Sequence, residues 1–301
     1  PRQIRLGLLP IPEWLARWLG ERALARLETR RRQMLLDALA EFETAFEGLT
    51  LAPEGAVFSF VWERRALDRL SWNLQRGSIS AAALDASQHY LSLLRATLSD
   101  LPPSTRAVAL SALLPVLAEQ ALARSSRADP RIENTALLFA LSSHLAAATG
   151  VISSETPRVA DFAEIRLRRR QDLAAHVINS AAIAASAGSD VAGIISTGKE
   201  AFDARYLSGF SFSDLTANRA GIRLAELAIG SVDSARELQR RLAAIERDDE
   251  LLPRVGSNRD GLSQREFEAQ YHDRSSPEYR QRLAAIEAQL SQLSLYAQVA
   301  L

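Results

Sequence analysis

Residues 170–221 read RQDLAAHVINSAAIAASAGSDVAGIISTGKEAFDARYLSGFSFSDLTANRAG. The stretch is rich in Ala and Ser, and its polar side chains recur at three- and four-residue intervals, the period of a helix face. The spacing predicts three consecutive helices, at about Val159–Ala187, Val191–Tyr206 and Phe212–Ala228. Small residues (Ala181, Ala182, Ala184, Ala185, Gly188 and Gly221) allow their backbones to approach closely. A chain organised around such a unit packs helix on helix.

The same period holds outward from this stretch. Helices are expected at about Arg22–Phe46, Ser80–Leu98, Pro103–Ala123, Ile132–Ala148 and Val232–Arg247, and at Ser263–Tyr271 and Pro277–Ala297. Ser263 with Glu266 three residues on reads as a capping box, and Ser276-Pro277 starts the last helix in the same style. The one clear strand signal is Gly55–Trp62, rich in β-formers and without a strong second strand to pair it. The expected class is all-α, a multi-helix bundle with at most one short marginal β element. A boundary near Ser125–Arg131 divides a helical region at 1–124 from a second at 131–301 that carries the polar residues; a single domain is the alternative.

Composition narrows the function classes. The chain has 301 residues, 47% hydrophobic and 24% charged, which is globular. Thirty-six basic residues balance 36 acidic ones, so no nucleic-acid partner is expected. There is no cysteine, which removes disulfides, thiolate nucleophiles and Cys-ligated metal centres. No nucleotide, haem or hydrolase motif occurs. The chain opens on Pro1, which leads to the expectation of a processed product whose signal peptide or membrane anchor has been removed. The Trp14/Trp18 face fits proximity to a membrane, although packing on its own domain is the first expectation. The weakly charged stretches Asn134–Ser154 and Ala174–Gly198 are poor in large apolar residues and read as buried core helices, not spans. His89-Tyr90 and His144 read as core, and His272 as part of a solvated turn.

The polar residues of 170–221 form the candidate site. Asp172 and His176 share a helix face that continues to Ser180; Glu200 and Asp203 share the next, beside Lys199; Asp214 and Asn218 share the third, followed by Arg219. Packed together they offer one imidazole, several carboxylates and an amide. His176, Glu200, Asp203 and Asp214 suit a hard divalent cation. A crowded carboxylate beside a histidine also suits acid–base work, with His176, Glu200 and Asp214 as the candidates. Lys199, Asp203, Ser211, Asn218 and Arg219 are the ligand-binding candidates. A purely structural network explains the same residues, since Ser211 or Ser213 with Asp214 makes a natural helix N-terminus.

The pattern His176, then Gly198-Lys199-Glu200-x-x-Asp203, then Ser208-Gly209-Phe210-Ser211-x-x-Asp214-Leu215-x-x-Asn218-x-x-Gly221 resembles uncharacterised bacterial envelope proteins of the YfiM-like periplasmic lipoprotein kind. More distantly it is similar to the VanZ-like membrane proteins. The resemblance covers about a sixth of the chain. It implies a periplasmic or envelope-associated protein with His176, Glu200, Asp203, Asp214 and Asn218 as the shared polar set; a cytoplasmic location is the alternative. It implies no substrate. Two functions are therefore carried forward. One is a binding or structural module for a protein partner or small ligand. The other is a metal-dependent or acid–base hydrolase using the cluster.

Overall fold

The computed structural model describes residues 64–151, 163–206, 209–255, 258 and 260–297, together with four strands at 4–6, 9–11, 46–52 and 55–60; side chains are described from Asp68 onward, except those of 201–206. The Trp14/Trp18 face, and the helix expected from Arg22 as far as residue 45, lie outside the described residues.

The chain is an all-α, multi-helix fold with short β elements. Strands β1 (Ile4–Leu6) and β2 (Leu9–Ile11) pair antiparallel, as do β3 (Phe46–Ala52) and β4 (Gly55–Phe60). The strand read at Gly55 thus has a partner. Phe46, expected as the end of a helix, opens that partner, and a break in register between Phe46 and Gly48 leaves Glu47 as the extra residue.

Helix α1 (Arg64–Ser78) has no counterpart in the sequence reading. Then come α2 (Ala81–Ser99), capped by the Ser80 side chain, strand β5 (Ala107–Ala109) and α3 (Leu110–Arg124). Helix α4 (Pro130–Ala148) starts with Asp129 as cap and proline in its first turn, and strand β6 (Glu164–Arg166) follows. Next are α5 (Gln171–Ala187), α6 (Ser189–Tyr206), α7 (Phe212–Ile229) and α8 (Val232–Ala243). Two helices finish the order, α9 (Gln264–Tyr271) with its Ser263/Glu266 capping box and α10 (Pro277–Ser291) capped by Ser276.

Two helix starts move relative to expectation. Both α3 and α5 begin later because β5 and β6 pair in parallel just before them. Arg168 and Arg169, with φ of 51° and 66°, form a left-handed turn that a right-handed helix cannot run through. Asp248 fixes both places. One carboxylate oxygen accepts the Arg168 N–H at 2.6 Å, and the other accepts the Ser111 N–H in the first turn of α3 at 3.4 Å.

Helix α4 is central. Residues 133–142 are all buried, and it packs on α2, α3, α5, α7 and α8. A helix surrounded on every side has no polar stripe, which is why its sequence lacks one. No described helix is long and apolar enough to cross a membrane. The main apolar cluster runs from Ile79 to Tyr296, so α2 and α10 belong to one core. Tyr90 and His144 lie in that core, whereas His89 is exposed, since adjacent helical residues point about 100° apart. His272 is exposed in the turn after α9. Helix α5 packs most extensively on α7, where Gly221 lies against the Val177 carbonyl.

Candidate functional site: a polar cavity between helices

The site begins at a turn. Gly209 (φ 87°) lies against Gly261, and a side chain on Gly209 would overlap the Gly261 backbone. This close approach lets Phe210 and Leu262 exchange backbone hydrogen bonds at 2.7 and 3.0 Å. Asp260, held beside the turn, accepts from Ser211 Oγ at 3.1 Å and from Ser213 N at 2.9 Å. Ser211 Oγ in turn accepts the Asp214 N–H at 3.0 Å, capping α7. The start of α7, and with it Asp214 and Asn218, is therefore fixed by a polar chain from the 260 loop.

Helix α5 brings His176 to meet them. His176 Nδ1 is 3.0 Å from Asn218 Oδ1, and Ser180 Oγ donates to the same oxygen at 2.8 Å. An amide oxygen only accepts, so Nδ1 carries a proton. His176 Nε2 then faces Asp214 Oδ2 at 3.4 Å. Glu200, from α6, is fully buried and accepts the Ser211 N–H at 3.3 Å. One ligating atom each from His176, Glu200 and Asp214 lies within 4.8 Å of the others.

The charges at this corner are arranged in opposition. Burial alone lowers the His176 pKa, but the Asp214 carboxylate outweighs it and the net shift is upward. Burial raises the Asp214 pKa, but His176 and Arg170 outweigh that, and it ends below the usual carboxylate value. Arg170 reaches Asp172, Asp214 and Asp260 at 2.6, 3.2 and 3.3 Å, and its own pKa moves further up.

His176, Asp214 and Asn218 line a cavity of about 580 Å³. Helix α1 supplies Asp68, Trp72 and Gln75; α4 supplies Ser142; α5 adds Asn179 and Ser180; α6 adds Ser196 and Lys199. Lys199 Nζ pairs with Asp68 at 3.2 Å. Ser142 Oγ lies 2.8 Å from Gln75 Oε1 and 2.9 Å from Asn179 Oδ1. Every charged side chain of the wall therefore faces an opposite charge, and amides, hydroxyls and the Trp72 ring make up much of the rest.

Of the residues singled out from sequence, Asp172, His176, Ser180, Lys199, Asp214 and Asn218 line the cavity. Glu200 is sealed beside them, and Ser211 is spent on capping α7. Arg219 is not brought to the cavity: its guanidinium pairs with Glu287 of α10 at 2.7 Å. Asn218 and Arg219 are neighbours on one helix, so when one faces α5 the other cannot. The Asp203 side chain lies outside the described residues. Asp68, Trp72 and Gln75 lie on α1, where the sequence reading places no helix. Asn179 was within reach, three residues after His176 on the same face, and so was Ser196, four before Glu200.

Compared with protein-family models, with curated proteins and with solved structures, the chain finds no match.

Proposed function

We propose that this protein is a binding module that takes a small polar ligand into the cavity between α1, α4, α5, α6 and α7. One observation carries the reading. The polar set, while its members bond one another, forms the wall of an open space of about 580 Å³, within the usual size range for small-molecule sites. Lys199 and Asp68 pair with each other, so much of the remaining wall offers a bound molecule neutral polar groups. The amides and hydroxyls of Asn179, Ser196 and Asn218 suit a ligand rich in hydroxyl or carbonyl groups, and Trp72 offers it an apolar surface.

The acid–base hydrolase reading is weaker. Asn218 holds Nδ1 of His176 and Nε2 is turned to Asp214, so the ring is not set as a base against a side-chain nucleophile. The envelope location implied by the YfiM-like resemblance goes with the binding proposal, and fractionation of the full-length protein addresses it.

The test is calorimetry against a panel of neutral polyols, sugars and amides beside charged analogues. Neutral polar compounds should bind, and Asn179→Ala with Ser196→Ala should weaken them without unfolding the protein. Variants that only lose stability, with no compound binding the wild type, would return the cluster to a structural role.

A further inference from the structure

His176, Asp214 and Glu200 meet beside the cavity with one ligating atom each within 4.8 Å of the others, and the His176–Asp214 contact is long for a charge-assisted bond. A charge-assisted N–H···O bond closes to about 2.7–2.9 Å. His176 Nε2 and Asp214 Oδ2 stand 3.4 Å apart instead. Two atoms each about 2.1 Å from one metal ion, at a tetrahedral angle, are roughly 3.4 Å apart. We propose that this corner holds a single divalent first-row transition-metal ion. Its protein ligands are His176 Nε2, Asp214 Oδ2 and one Glu200 carboxylate oxygen, with a remaining position open to the cavity. The inference deepens the reading above, since the open position would face the same ligand.

The surrounding groups fit. Nδ1–H of His176 is held by Asn218 Oδ1, itself fixed by Ser180, which leaves the Nε2 lone pair directed at the corner. A ligating histidine is oriented in this way, by a hydrogen bond from its other nitrogen. Asp214 divides its oxygens: Oδ1 takes Arg170 at 3.2 Å and Oδ2 faces His176. Glu200 brings a second carboxylate, fully buried, within 4.8 Å of the other two ligand atoms. Arg170 pairs with Asp172 and Asp260 as well as Asp214, and Lys199 with Asp68. One imidazole with two carboxylates selects Zn²⁺, Mn²⁺ or Co²⁺ over Ca²⁺ and Mg²⁺, which favour all-oxygen shells. A ligating imidazole must give up its Nε2 proton, so affinity falls at acid pH.

The test uses the metal alone, without organic ligand. Zn²⁺, Mn²⁺, Ca²⁺ and Mg²⁺ are titrated separately into the full chain by calorimetry, at about pH 7.5 and about pH 5.5. A single transition-metal site is expected, weaker at the lower pH. Asp214→Asn and Glu200→Gln should each weaken it by roughly tenfold or more. Asp172→Asn, on the same wall but outside the corner, should not. Should the corner variants fold poorly, ¹⁵N spectra of the wild type decide. Metal must perturb the His176 Nε2 resonance and spare the Nδ1–H; an unchanged Nε2 overturns the site. No transition-metal binding by the wild type overturns it as well. Asn179→Ala acts on the organic ligand and not on the ion, so binding of polar compounds without any metal response sinks the ion site and leaves the cavity reading standing.

Discussion

His176 is pulled in two directions. Desolvation favours the neutral ring, while Asp214 at 3.4 Å favours the imidazolium, and Asp214 wins. The folded pKa lies above the ordinary 6.5, so the contribution of His176 to stability is fully present below about pH 6.5 and is lost as the pH rises through the folded value. Asp214 runs the opposite way. Its folded pKa lies below 3.8, so its contribution is present above that value and lost as the pH falls through the depressed one. The pair therefore stabilises the fold most between these limits. In Asp214→Asn the opposing charge is gone and burial prevails, so the His176 pKa should drop below 6.5 and the protein should lose on the order of 3 kcal/mol near neutral pH. A histidine titration followed by NMR checks the first, and denaturant unfolding the second. A ring that still titrates above 6.5 in the variant would show that some other group holds the proton.

At the scale of elements, the site depends on how closely α5 approaches α7. Gly221 makes that approach possible. A Cβ there would overlap the Val177 carbonyl oxygen and come within 3.0 Å of Ala181 N, which are backbone atoms that cannot swing aside. Gly221→Ala should therefore cost about 1–3 kcal/mol and part Asn218 from His176, seen as loss of the protected Nδ1–H signal. Gly198→Ala is the contrast: nothing lies within 4 Å of that position, so alanine should stabilise α6 by up to about 1 kcal/mol. Equal effects at both positions, by denaturant unfolding, would refute the close-approach account. The residues that matter here were readable, because small residues and i, i+4 polar pairs are local signals. The capping boxes were readable for the same reason: Ser263 and Glu266 sit three apart in sequence and satisfy each other's backbone. What could not be read was the register set at a distance. The late starts of α3 and α5 come from β5 meeting β6 and from Asp248, whose partners are 80 and 137 residues away. Helix α1, whose apolar residues Leu67, Leu70 and Leu74 follow the helical period, was legible in principle and carries four of the cavity's residues.

At the scale of the whole molecule, two buried polar networks fasten the stretch around residues 125–131 to the rest. Glu133, at the start of α4, accepts from Tyr90 of α2 at 2.5 Å and from Arg124 of α3 at 2.7 and 3.2 Å. Burial and the neighbouring Glu133 push the Tyr90 phenol far up, so it remains a donor at any physiological pH. Asn134 donates to the carbonyls of Ala228 and Ala235, both at 3.1 Å, and Gln239 of α8 donates to Asn134 and Ser125, both at 2.9 Å. Ser125 looks like the start of a linker in sequence because its partner Gln239 lies 114 residues on. In the folded chain it is buried and bonded to that partner. The core from Ile79 to Tyr296 is continuous over the same ground. These two facts argue for cooperative unfolding, in which helicity and tryptophan fluorescence are lost in one coincident transition. Glu133→Ala should shift that transition as a whole, by about 3–5 kcal/mol, because Arg124 and Tyr90 would lose the charge they share. Were the helices before residue 125 to melt separately from those after residue 131, in the wild type or in this variant, the networks would be local braces and not the ties that make one folding unit.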